Sequence, residues 1–187
     1  LGYGVISGSY HHDEQAPFEK KPWYGESVIY PHEAAKFLNG LSVIDEVYAD
    51  HELLASLCIF HMRSDQRVFA DPRLEVNTKG SLADMREIRR LFNSDIDAGM
   101  IMLEKYGSGT KALVFMNHTF FSSRLPNLLS NLAQSPDWVC VFSNQYAEDD
   151  GPSRFILGAS VFVPRAVASA EGLTSVSVEH LLSRLRN

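Results

Sequence analysis

The chain is short of cysteine, of excess positive charge and of long apolar runs, and each shortage removes a class of protein. Cys58 and Cys140 are the only cysteines among 187 residues. Each lies inside an apolar stretch, so both read as buried free thiols rather than a disulfide framework. A reducing cytoplasm is the expected compartment. Lys and Arg number 17 against 23 Asp and Glu, a formal net charge of −6. That balance argues against nucleic acid and against an acidic membrane surface as partners, since both require clustered positive charge. It leaves a small local anion site open. No apolar run approaches the ~18 residues of a membrane span. No signal-peptide pattern is read in the first residues, which begin at Leu1 and leave the natural N-terminus open. Internal repeats and low-complexity tracts are also missing.

Signature motifs are equally scarce. No Gly-x-Ser-x-Gly elbow surrounds Ser122 or Ser123. The stretch Gly107-Ser-Gly-Thr-Lys111 has the composition of a phosphate loop, but it ends a helical pattern and opens a strand, the reverse of what such a loop requires. Asp149-Asp150-Gly151 lacks the spaced oxygens of a calcium loop. His11-His12-Asp13-Glu14 offers ligand types in a row, yet neighbours in an extended chain point opposite ways and do not converge on one ion. His51 and His61, ten positions apart, are not neighbours on successive helical turns. No metal site is expected, and the sequence leaves any cofactor unknown.

What is present is a globular composition, 45% hydrophobic and 21% charged, enough to bury a core. The pattern is clearest over residues 111–144. Residues 112–116 are five apolar residues in a row, the mark of a strand buried on both faces. Leu125, Leu128, Leu129 and Leu132 then fall on one helical stripe, and residues 138–142 form a second unbroken apolar strand. Strand, helix and strand in this order predict a central βαβ unit. A turn-rich link follows, and residues 154–163 are expected as an antiparallel partner of the 138–143 strand.

Elsewhere the spacing predicts an extended N-terminal arm over residues 1–25, carrying Phe18, Trp23 and Tyr24, and a single α/β (or α+β) domain over 26–187. Residues 27–30 form a candidate strand. Pro31 suits the first turn of a helix stopped by Asn39-Gly40. Ser42-Val-Ile-Asp45 resembles a capping box, so a helix from 43 to about 50 followed by a strand over 55–62 is the favoured reading; one long helix is its rival. A strand is expected at 67–70. Two helices follow, opened by Ser81 and Ser94, with Leu82, Met85, Ile88 and Phe92 inward and Arg86, Arg89 and Arg90 outward. Residues 177–186 close the chain as an amphipathic helix. The expected architecture is thus a mixed, mostly buried sheet with a central βαβ unit and a C-terminal antiparallel hairpin, flanked by helices.

In open α/β sheets, ligands collect beyond the carboxyl ends of the strands. Asn117 and His118 stand where the central strand should end, and Ser122, Ser123 and Arg124 where the next helix should begin. Free backbone amides, two hydroxyls and a guanidinium would there meet a phosphate or carboxylate. Ser143 and Asn144 end the second strand on the same edge if the two strands are parallel. The same residues also serve as ordinary caps and turns. The expectation is a small anionic ligand at the corner 117–124. The alternative is a non-enzymatic homo-oligomer built through the aromatic arm. No catalytic residue is assigned.

Overall fold

The computed structural model of the chain describes residues 27–29, 31–69, 79–106, 109–117, 125–144, 154–156 and 158–185. They fall in two compact units. In the smaller, β1 (Ser27–Ile29) and β6 (Arg154–Ile156) pair in parallel. The larger holds a five-stranded mixed sheet flanked by helices, an α/β fold.

In chain order the larger unit runs α1 (His32–Asn39), β2 (Glu46–Ala49), α2 (Glu52–His61), β3 (Arg67–Phe69), α3 (Lys79–Ser94), α4 (Ile96–Glu104) and β4 (Lys111–Met116). It continues through α5 (Leu125–Gln134), β5 (Trp138–Ser143), β7 (Ala159–Pro164), α6 (Arg165–Ala170) and α7 (Glu179–Leu185). The sheet order is β3-β2-β4-β7-β5. β3, β2 and β4 are parallel neighbours, while β7 is antiparallel to both β4 and β5. β4 and β5 therefore run in the same direction, as a βαβ unit requires, with β7 inserted between them.

Both faces of the sheet are covered. Tyr48, Leu113, Phe115, Phe162, Trp138 and Cys140 share one cluster with apolar residues of α3, α4, α5 and α7. Side chains alternate across a strand, so Val47, Ala112, Val114 and Met116 face the other way, and they are equally buried. That second face belongs to α1 and α2, which lie against the sheet and contribute nothing to the first cluster. Parallel strands buried twice read as continuous apolar runs, and residues 112–116 do so. A register shift between Cys140 and Phe142 breaks the alternation in β5. It turns Phe142 to the α1 side, where its ring lies 5.2 Å from that of Phe37.

Two expectations need correction. Residues 46–49 are a strand and 52–61 a helix, the opposite of the favoured reading. The capping-box residue Asp45 faces β4 instead: its carboxylate accepts the Thr110 N–H at 2.7 Å, and the Asp45 and Glu46 amides both donate to the Thr110 carbonyl. Long-range pairing with β4 overrides the local helical signal. Residues 154–163 are not one strand; they divide into β6 and β7. Residues 165–170, loosely patterned in sequence, form the short helix α6 behind Pro164. The aromatic arm and His11–Glu14 lie outside the described residues. Among those described, no helix is long and apolar enough to cross a membrane.

Candidate functional site

The connections define where a site belongs. From β2 the chain passes through α2 to β3, on one side of the sheet order. From β4 it passes through α5 to β5, on the other. The carboxyl ends of β2 and β4, adjacent and parallel, thus flank a topological switch point, where connections leaving in opposite directions open a crevice.

β2 delivers Asp50 and His51 to that point. The Asp50 amide donates to the Val114 carbonyl at 3.0 Å, and its carboxylate accepts the Met116 N–H at 3.1 Å, so the side chain extends the ladder one step past the strand. His51 then starts α2: its Nδ1 accepts the Leu53 N–H at 3.2 Å, which assigns the proton of the neutral ring to Nε2. α3 crosses above. Its buried residues Ile88 and Phe92 bracket Arg89 and carry that side chain inward. Among the described residues, the Arg89 Nε and one terminal guanidinium nitrogen are buried without a hydrogen-bond partner. So is the hydroxyl of Tyr48, a residue 1% exposed.

These groups line one cavity. Tyr48, Asp50, His51, Arg89 and Asn93 supply its polar atoms; Phe92, Phe115, Leu125 and Leu128 complete the wall. It leaves about 20 Å³ for the centre of a water-sized group, enough for one water or for the leading oxygen of a ligand. Asp50 keeps some surface, but burial of its carboxyl dominates and pushes its pKa up to about 7, against the Met116 amide and the Arg89 charge. Burial likewise raises the pKa of Tyr48, helped by the Asp50 charge and opposed by the Arg89 guanidinium beside the hydroxyl, so the phenol stays a donor. The pKa of His51 is lowered, first by burial and then by Arg89. At neutral pH the cavity therefore offers a fixed cation, a phenol, a neutral imidazole and a carboxyl poised between its two forms.

Of the residues expected at the corner, Asn117, Ser143 and Asn144 are described, and the fold brings them together. Ser160, at the start of β7, joins them. Asn117 donates to the Asn144 carbonyl at 3.0 Å and accepts from the Ser160 hydroxyl at 2.8 Å; Ser143 and Ser160 lie 3.0 Å apart through their hydroxyls. The Asn144 side-chain oxygen accepts the Ala159 N–H at 2.7 Å. Gly158 makes this approach feasible, because a β-carbon there would collide with the Asn144 carbonyl. These bonds tie the ends of β4, β5 and β7 to one another. His118, Ser122, Ser123 and Arg124 lie outside the described residues.

The residues lining the crevice were not singled out from sequence as an anion site. His51 enters the sequence analysis only as a metal candidate, and Tyr48 falls within the helix expected over 43 to about 50. Arg89, expected outward, has guanidinium nitrogens in the interior. A signal existed: Arg89 stands between Ile88 and Phe92 on the edge of the apolar stripe, and Asp50-His51 ends an apolar triplet as strand-end polar residues do. Among the described residues, no cluster of His, Cys, Asp and Glu could hold a metal ion. The chain matches no protein-family model, no curated protein and no solved structure at a significant level.

Proposed function

We propose that this protein binds a small oxyanion, a phosphate or carboxylate group, in the crevice beyond the carboxyl ends of β2 and β4. One observation carries the reading: the buried guanidinium nitrogens of Arg89 and the Tyr48 hydroxyl have no partner among the described residues, yet line one cavity at the switch point. Buried donors left unpaired cost about 1–3 kcal/mol each, more for a charged group. An oxyanion satisfies both donors and the charge at once. The corner that follows β4 in sequence, with His118, Ser122, Ser123 and Arg124, supplies further donors in this proposal. A reducing cytoplasm remains its compartment.

The test is linkage. A ligand that binds only the folded state raises the melting temperature in a saturable way. Phosphate titrated at constant ionic strength should stabilise the wild type and lose most of that effect in Arg89→Gln. His118→Ala combined with Arg124→Ala reports the share of the corner. Identical phosphate responses in wild type and Arg89→Gln would remove the anion from this crevice.

A further inference from the structure

The oxyanion crevice contains a group that an anion should avoid. Asp50 lines the same cavity as Arg89 and Tyr48. A carboxylate cannot stand beside a fully ionised oxyanion in a desolvated site without a proton between them, because like charges at that range repel strongly. Either Asp50 carries that proton and donates to the anion, or the anion carries it and donates to Asp50. The anion must then arrive with a proton or take one up.

We propose that this crevice binds its oxyanion together with one shared proton, held between the anion and Asp50, and that it therefore selects phosphate-type ligands over sulfate and carboxylates. This rests on the oxyanion reading above and narrows its ligand class. Inorganic phosphate keeps one proton on its dianion across this range, and phosphate monoesters, with a second pKa of about 6, keep one below that value, so each brings the proton with it there. Sulfate and carboxylates carry none at neutral pH. They bind only where Asp50 itself is protonated.

The surroundings of Asp50 favour that role. Tyr48 reaches the cavity from β2 and His51 from the head of α2, while α3 supplies Arg89 and Asn93. β4 contributes the Met116 amide to the Asp50 carboxyl, and the residues of α5 at this wall, Leu125 and Leu128, are apolar. Arg89 is thus the fixed cation of the cavity. Burial outweighs it and holds the Asp50 carboxyl near neutrality, where either partner can own the proton. Among the described residues lining the cavity, His51 is the other group whose protonation could draw in an anion at low pH, and its lowered pKa moves that effect to more acidic conditions.

Isothermal titration with inorganic phosphate, methyl phosphate and sulfate, at constant ionic strength between pH 6 and 9, tests the proposal. At pH 8.5 inorganic phosphate should bind the wild type at least about tenfold more tightly than sulfate does, whereas methyl phosphate, fully ionised there, should need the same proton uptake as sulfate. Sulfate affinity should gain about tenfold for each unit that the pH falls above the Asp50 pKa, the slope of one bound proton. Titrations in two buffers of different protonation enthalpy should show sulfate binding taking up that proton in the wild type. Asp50→Asn should accept sulfate and phosphate alike with no such slope, whereas His51→Gln, whatever it does to affinity, should keep the one-proton slope for sulfate. Equal wild-type affinities for inorganic phosphate and sulfate at pH 8.5, or sulfate binding without proton uptake, would overturn the shared proton while leaving the anion site standing. A slope that moves with His51 would do the same. No binding of any of the three ions at any pH would overturn the anion site and this inference with it.

Discussion

At the scale of single residues, burial decides the chemistry. A free carboxyl gives up its proton near pH 4; Asp50 in the folded chain holds it to about pH 7. Between those values the folded state carries a proton that the unfolded chain has lost. Stability therefore falls as pH rises through that window and levels above about 7, by up to about 1.4 kcal/mol per pH unit. Asp50→Asn removes this penalty and keeps an oxygen for the Met116 amide. Its melting temperature relative to wild type should rise between pH 5 and pH 8; a difference that stays flat would show that Asp50 is ionised throughout. The same burial acts on the thiols. Cys58 and Cys140 are both buried, and each thiol is pushed up to about 12, with desolvation the leading cause. Ellman's reagent should label neither in the native protein and both in denaturant. Fast native labelling of Cys140 would show an accessible, reactive thiol there instead.

At the scale of elements, side chains distant in sequence hold the ends together. α1 ends at Asn39, and the turn that follows leaves carbonyls unpaired by the helix. Arg63 collects them: its guanidinium donates to Asn39 at 2.7 Å and Leu41 at 2.9 Å, and to Ser42 at 3.2 Å. Gln66 donates to Leu38 and Ile44, each at 3.1 Å. A lysine lacks the planar fork needed to serve several carbonyls at once. Arg63→Lys should lower stability by about 1–3 kcal/mol, read as a lower urea midpoint with an unchanged slope; a midpoint equal to wild type would reduce Arg63 to a surface contact. The β2–α2 pair shows why sequence misleads at this scale. His51 caps the helix only because Asp50 is already fixed to β4, and no local pattern records that.

At the scale of the molecule, β4 is the middle strand, paired with β2 on one side and β7 on the other, and covered on both faces. Its amides should exchange with solvent only on global unfolding. Hydrogen exchange followed by mass spectrometry should find residues 112–116 the most protected and the edge strand β3 less so; faster exchange in β4 than in β3 would contradict this arrangement. The sequence by itself determined that much of the fold: the unbroken apolar run of 112–116, the leucine stripe of 125–132 and the second run at 138–142 specify buried strand, helix and buried strand through periodicity alone. It also placed Asn117, Ser143 and Asn144 at strand ends. Only the tertiary structure decided that β7 lies between β4 and β5, that 46–49 pair with β4 as a strand, and that Arg89 of α3 meets Tyr48 and Asp50 of another element in one cavity. The physical reason is range. Periodicity reports which face of a segment avoids water, whereas strand order and the meeting of polar groups depend on contacts between segments 40 or so positions apart, as from Tyr48 to Arg89, which leave no periodic trace in either one.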